Sequence, residues 1–135
     1  MSWHNSLIRI SNYEVETLQK RLAEIVDRRF AIEMRIAGLV AEDQAETLHA
    51  KTNAEAGVYM LGFREGVRIR REKLNGELAS LAAEEEGARD ALSEAFEALK
   101  KFEHVAEAAR VVAKKEAAKR ETAALDELGL RRAAR

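Results

Sequence analysis

Apolar residues in the first half of the chain recur at alternating spacings of three and four, the heptad repeat of a left-handed coiled coil. Eight of the ten positions on this track are apolar. The a positions fall at Ile8, Val15, Leu22, Arg29 and Ile36, and the d positions at Ser11, Leu18, Ile25, Ile32 and Leu39. The pattern predicts one long helix over about residues 6–51.

The second half carries an apolar track of its own, with thirteen of sixteen positions apolar. Its d positions are Met60, Val67, Leu74, Leu81, Ala88, Ala95, Phe102 and Ala109, and its a positions are Arg64, Arg71, Leu78, Glu85, Leu92, Leu99, Ala106 and Ala113. The track predicts a helix over about 54–128. Because this helix is longer than the first, we expect it to extend past its partner from about residue 103.

The two tracks are separated by a short polar segment that predicts a turn at about residues 51–57. The segment includes the sequence TNAE at 52–55, which fits a capping box led by the Thr52 hydroxyl. A turn this short makes the helices antiparallel neighbours. We therefore predict an all-α fold, a single two-helix antiparallel coiled-coil hairpin over residues 1–135 with an overlong C-terminal helix.

Two charges interrupt otherwise apolar parts of the tracks. A turn centred near Glu55 puts Arg29 and Glu85 in adjacent layers of the hairpin. They are either a buried or half-buried ion pair that fixes the register, or two unrelated departures from the pattern at half-exposed positions.

The composition supports a helical chain and excludes several other classes. Ala, Glu, Arg, Leu and Lys make up 82 of 135 residues, above the level typical of coiled coils. Cysteine and proline are absent, which excludes disulfides and thiolate metal sites. The net charge of −1 gives no overall attraction to nucleic acid. No uncharged run approaches the about 20 residues of a membrane span, and no secretory signal is evident, so we expect a soluble, cytosolic protein.

The residues that usually carry chemistry form no recognisable constellation. The sequence ETLH at 46–49 matches the Glu-x-x-His spacing of di-iron bundles, but such a site needs two copies and two further glutamates. Glu46 and His49 are equally explained as a solvated polar face. The sequence therefore predicts no enzyme, no metal and no cofactor.

Apolar residues off the tracks indicate contacts with other molecules. One group lies beside the turn and is either a small apolar cap that closes the hairpin or a partner-binding tip: Tyr59, Leu61, Phe63 and Ile69. A second group lies on the predicted extension and indicates either a contact with another protein or a frayed helix end: Val105, Val112, Leu125, Leu128 and Leu130. Residues 77–97 carry seven acids against one base, and residues 110–120 five bases against one acid.

Three segments resemble the flagellar export protein FliJ family. They are NYEVE at 12–16, the closing run ALDELGLRR at 124–132, and the aromatic pair Tyr59 and Phe63 near the start of the second helix. The high alanine content resembles an alphaproteobacterial branch of that family more than its enteric members. The resemblance extends over nearly the whole chain.

The resemblance implies a non-enzymatic stalk in the flagellar type III export apparatus, at the cytoplasmic side of the membrane at the flagellar base. It implies three kinds of partner: the export ATPase hexamer (FliI), the export gate protein (FlhA) and export chaperones. Four residues are expected on the gate side: Tyr59, Met60, Phe63 and Val67. Seven are expected on the ATPase side: Ile8, Arg9, Asp126, Glu127, Leu128, Arg131 and Arg132.

Three other functions fit a helical hairpin with these features. The basic stretch at 110–120 is compatible with a nucleic-acid-binding arm, although the acidic stretch before it opposes one. The heptad tracks are also compatible with a structural homodimer. A stalk of a virulence-type secretion system would share the whole pattern.

Overall fold

The computed structural model describes residues 3–134, apart from the side chains at positions 54 and 56. The described residues form two helices, α1 (Trp3–Thr52, 50 residues) and α2 (Ala54–Ala133, 80 residues), and contain no strand. The predicted fold class, an all-α helical hairpin with the longer helix second, is confirmed. Helix α1 begins three residues before the predicted position 6, and α2 continues five residues past the predicted position 128.

The predicted track on α1 is the face that α1 buries. Ser11, Val15 and Ile25 are buried, and the other seven positions of the track are half-buried. On α2 the track is likewise buried or half-buried from Leu74 to Ala109. Periodic apolar residues therefore determine which side of each helix is removed from water.

Three positions of the α2 track are exposed: Arg64, Arg71 and Ala113. A long arginine side chain at a seam position can lay its methylene groups on the apolar surface and keep its guanidinium in water. Ala113 is exposed because it lies beyond Ala109, the last half-buried residue of α2. The exposed part of α2 thus begins later than residue 103, the position predicted for the extension.

The chain divides into two compact units, which we describe separately. The first contains the residues up to Val15 together with those from Ser93 onward, and its buried residues are Ser11, Val15, Ala95 and Leu99. The second contains residues 16–92, and its core is formed by Ile25, Leu81 and Ala88, with Leu22 and Ile32 packed against it.

The register of the second unit is marked by the two charges that interrupt the tracks. Arg29 Nε lies 3.2 Å from Glu85 Oε2, and Arg29 Nη2 donates a hydrogen bond to Glu85 Oε1 at 3.3 Å. The Nε–H itself makes no hydrogen bond. Arg29 and Glu85 are thus a half-buried ion pair between the helices, the first of the two alternatives left open by the sequence.

The turn between the helices is shorter than predicted and is capped by a different residue. Only Asn53 separates α1 from α2, and its Oδ1 accepts a hydrogen bond from the Glu55 amide at 3.0 Å. The Thr52 hydroxyl donates to the His49 carbonyl at 2.9 Å instead, since Thr52 is still helical. The prediction of a capping box led by Thr52 is therefore wrong, and Asn53 is the N-cap of α2.

Candidate partner-binding surfaces

Metal-ligating clusters and membrane-spanning stretches are two features that the described residues lack. Within residues 3–134, no group of three or more His, Asp or Glu side chains is placed to hold a metal ion. Neither helix of this described part has a stretch long and apolar enough to cross a membrane. Two patches of exposed apolar and charged side chains are the candidate surfaces for function.

The first surface is the tip patch, formed by Val58, Tyr59, Leu61 and Phe63 in the opening turns of α2. Tyr59 is 66% exposed, and its ring lies 6.3 Å from the Phe63 ring, centroid to centroid. Val58 and Leu61 are 79% and 80% exposed. Aromatic and aliphatic side chains exposed together in this way are typical anchors of a protein–protein contact.

The four residues expected on the gate side divide between the tip patch and the seam. Tyr59 is exposed and Phe63 is half-buried, whereas Met60 and Val67 are buried at 7% and 4% exposure. A partner can reach Tyr59 and the outer edge of Phe63 directly. Met60 and Val67 can affect such a contact only by holding α2 against α1.

Polar groups next to the tip patch are incompletely satisfied. Asp43 Oδ1 is buried without a hydrogen bond, and Arg64 Nε lies 3.9 Å from it. Arg64 Nη2 donates instead to Thr47 Oγ1 at 3.1 Å. The contact between Asp43 and Arg64 is therefore a loose ion pair rather than a hydrogen bond.

Further along α2, Arg68 forms ion pairs with Glu65 and Glu72 on the same helix. The hydrogen bond from Arg68, and then its charge, lower the pKa of Glu65 below its usual value, and the same contacts raise the pKa of Arg68. These groups are exposed, so the pairs keep a charged, hydrated surface beside the tip patch rather than stabilising the fold.

The second surface is the tail segment, residues 111–134, which consists of the last part of α2 and the residue after it and in which every side chain is exposed. Its large apolar residues are Val111, Val112, Leu125, Leu128 and Leu130, exposed by 38–72%. Most helical stability in proteins comes from packing of an amphipathic face, and no described residue packs on these side chains. The tail segment therefore has the properties of a docking element.

The residues expected on the ATPase side all belong to the first unit, but they form two separate groups. Ile8 is half-buried and lines a groove with Ala106 and Ala109 of α2. Asp126 lies twenty residues further along α2 than Ala106, which is about 30 Å at 1.5 Å per residue. Ile8 and exposed Arg9 therefore do not share a surface with the group at 126–132, whose members are all exposed.

The charges of the first unit are arranged along the exposed side of α2. Residues 110–120 carry Arg110, Lys114, Lys115, Lys119 and Arg120 against Glu116, a net charge of +4. Arg110 also forms a 2.6 Å ion pair with Glu107, which lowers the pKa of Glu107, chiefly through the hydrogen bond. Arg131 Nη2 lies 3.2 Å from Glu127 Oε1 near the helix end. The basic stretch favours a partner with an acidic surface.

Sequence reasoning identified most of these residues but missed some. Val58 and Val111 have the same exposed, apolar character as their neighbours and were not predicted. Both occupy positions next to predicted residues, and hydrophobicity outside the heptad track is the signal that would have found them.

The helical hairpin, with apolar side chains exposed in the tip patch and the tail segment, defines a two-helix coiled-coil protein. Two curated relatives, each described as "Flagellar FliJ protein", come from two strains of Caulobacter vibrioides. Each is 57% identical over 132 residues, which covers 98% of this chain and 95% of the relative. The chain belongs to the FliJ family. No family model and no solved structure matches it.

Proposed function

We propose that this chain is a non-enzymatic stalk of the flagellar type III export apparatus that couples the export ATPase ring (FliI) to the export gate (FlhA). In this role it also handles export chaperones. It works on the cytoplasmic side of the cell membrane at the flagellar base. Family membership makes the chain a component of flagellar export, and the finer role is our inference from its surfaces.

The observation that carries the proposal is the complete exposure of the tail segment. The helix continues there for 23 residues, 111–133, although no described residue buries their apolar side chains. Arg131 and Arg132 near the end of the helix also complement its dipole, so a local role for them is possible without a partner. A ring that encloses the tail segment would explain the apolar residues and the charges together.

The tip patch supports a second contact at the other end of α2. Tyr59 and Phe63 lie near the first residue of α2, whereas the tail segment ends near its last residue. Two candidate surfaces, one in each unit, suit a protein that binds two partners. We assign the gate to the tip patch and the ATPase ring to the tail segment.

The test is removal of residues 125–135, followed by measurement of ATPase binding and of ATP hydrolysis by the hexamer. The truncated chain should keep its helical hairpin and its melting temperature, because every described residue removed is exposed. It should neither bind the hexamer nor stimulate hydrolysis. A truncated chain that still binds and stimulates the hexamer would contradict the assignment of this end to the ring.

A charge-reversal variant gives a matched comparison. Arg131→Glu with Arg132→Glu reverses two charges in the tail segment, and Lys100→Glu with Lys101→Glu reverses two exposed charges elsewhere on α2 in the same unit. The first pair should weaken hexamer binding and the second should not. Equal effects of the two variants would indicate non-specific attraction of charge rather than docking of the tail.

A further inference from the structure

The start of α2 is rich in glycine. Three of the seven glycines of the chain lie within ten residues there: Gly57, Gly62 and Gly66. Each of the other four is at least ten residues from the nearest glycine. We call residues 54–66 the glycine segment. It begins at the first residue of α2 and includes the tip patch.

Neither packing nor backbone geometry requires glycine at these three positions. A Cβ atom added to Gly57 or Gly62 would meet nothing within 4 Å, and one added to Gly66 would meet only the end of the Arg70 side chain, at 3.8 Å. None of the three glycines has a positive φ angle. Alanine therefore fits each position without a change in the surrounding structure.

Glycine favours the unfolded form of this segment. At an interior helical position it lowers the helix–coil equilibrium about fivefold relative to alanine, because it has more backbone freedom to lose on folding. Val58, Tyr59 and Phe63 are also weaker helix formers than alanine or leucine. The glycine segment therefore depends on packing against α1, more than on its own sequence, to stay helical.

The packing that α1 provides for the glycine segment is slight. Among the described side chains of the segment only Met60 is buried, while Phe63 is half-buried. The last twelve residues of α1, 41–52, contain no buried residue. Four of these twelve are half-buried, and three of the four are polar: Asp43, Glu46, Thr47 and Ala50. Apolar burial at this end is thus limited to Met60 and part of Phe63.

The polar contacts that Arg64 makes between the two helices at this end are also weak. Arg64 Nη2 donates to Thr47 Oγ1 at 3.1 Å, and Arg64 Nε lies 3.9 Å from Asp43 Oδ1. The Arg64 side chain is 58% exposed, so solvent screens its charge. A region with few buried apolar contacts opens at a smaller free-energy cost than the core of the same unit.

We propose that the glycine segment unfolds and refolds locally while the rest of the second unit stays paired, and that its glycines set this equilibrium. Of the described side chains in the segment, unfolding exposes one that is buried, Met60. It leaves intact the core formed by Ile25, Leu81 and Ala88. This inference goes beyond the proposed function, because it concerns the chain alone.

Local unfolding makes the tip patch a surface that can be switched on and off. Tyr59 and Phe63 are four residues apart, and their rings lie 6.3 Å apart because a helix brings such positions together. The pair is therefore formed only while the segment is helical. A partner that binds the tip patch selects the helical form, and part of its binding free energy goes into ordering the segment.

The experiment is native-state amide hydrogen exchange of the full chain, measured by NMR as protection factors for two groups of amides. The amides of residues 63–66 become exposed when the glycine segment unfolds, and those of residues 81–88 when the core opens. Protection at 63–66 should be at least about tenfold smaller than at 81–88. Gly62→Ala should raise protection at 63–66 about fivefold, and Gly57→Ala with Gly62→Ala about 25-fold.

Gly87→Ala is the matched control. Gly62 and Gly87 are both exposed glycines of α2 in the same unit, and a Cβ added to either meets nothing within 4 Å. Gly87→Ala should raise protection at 81–88 and leave protection at 63–66 unchanged, because residue 87 stays helical when the glycine segment opens. An equal rise in both groups on Gly87→Ala would overturn the proposal, since the segment would then open only with the whole unit. Unchanged protection at 63–66 on Gly62→Ala would overturn it as well.

Discussion

The ion pair between Arg29 and Glu85 makes a quantitative prediction about how the seam is stabilised. The Glu85 side chain is only 13% exposed and the Arg29 side chain 33% exposed. Replacing Arg29 with leucine leaves a largely buried carboxylate without its partner on α1. Replacing both residues with leucine leaves no charge and extends the apolar seam around Ile25 and Leu81.

The expected magnitudes follow from the contacts that survive each change. Breaking a fully buried ion pair costs about 3–5 kcal/mol. Here the cost of Arg29→Leu should be smaller, about 1–2 kcal/mol, because Glu85 keeps a hydrogen bond from Arg89 Nη2 at 3.0 Å. Glu85→Leu should lower the free energy of unfolding by about 1 kcal/mol, since Arg29 keeps its ion pair with Glu33 at 3.4 Å. The double variant should be close to wild type in stability, or more stable.

The assay is a double-mutant cycle measured by urea denaturation, followed by far-ultraviolet circular dichroism. The neighbouring pair of Arg28 and Glu84 is a matched control, because it joins the same helices at 3.6 Å with side chains 64% and 51% exposed. The coupling energy should be about 1 kcal/mol or more for the inner pair and under about 0.5 kcal/mol for the outer pair. Additive effects at Arg29 and Glu85, or equal coupling in the two cycles, would refute the reasoning.

Three further predictions concern the tip and the helix interior. Tyr59→Ala and Phe63→Ala should weaken gate binding and leave the melting temperature nearly unchanged; unfolding of the hairpin would show that the tip patch is a structural cap instead. Asn53→Ala should lower the free energy of unfolding by about 1 kcal/mol, because the Glu55 amide loses its acceptor. Asn53→Asp should keep the acceptor and the stability, and equal losses in the two variants would contradict the assignment of Asn53 as the N-cap. Gly87→Ala should raise stability by about 0.5–1 kcal/mol in thermal denaturation, since the added Cβ meets nothing within 4 Å, and a loss would indicate an unseen contact there.

The heptad track was sufficient to predict the fold because burial in a two-helix hairpin follows a single period. All ten predicted positions of α1 are buried or half-buried, including Ser11 and Arg29, which hydrophobicity alone would not select. The period places a residue on the seam regardless of its chemistry. The same rule gave wrong expectations for Arg64 and Arg71, because a long charged side chain can leave the seam while its backbone stays there.

Details at the helix ends were less predictable. Thr52 and Asn53 are both good N-cap residues, and only the position at which α1 stops decides between them. The first residues of α1 cover part of α2, so the point at which α2 becomes exposed depends on where α1 begins. Helix α1 begins at Trp3 rather than at the predicted residue 6. These are properties of the pairing between the helices, which neither local sequence contains.

The candidate surfaces were predictable where large apolar residues lie outside the heptad track. Tyr59, Leu125 and Leu128 stand out as apolar residues at polar positions, and the structure exposes all three. Val58 and Val111 are exposed in the same way but were not predicted, since each is a single valine beside a predicted residue. Which partners these surfaces bind depends on the shapes of other proteins.

The most direct test of the coupling role is whether one chain holds the export ATPase hexamer and the cytoplasmic region of the export gate together. We expect immobilised gate protein to retain the hexamer only when this chain is added. Removal of residues 125–135 should abolish retention of the hexamer but not of the chain. Tyr59→Ala with Phe63→Ala should release the chain and the hexamer together from the gate, while a separate assay shows the variant still bound to the hexamer. Loss of both contacts from either change alone, or retention of the hexamer by the truncated chain, would contradict the account.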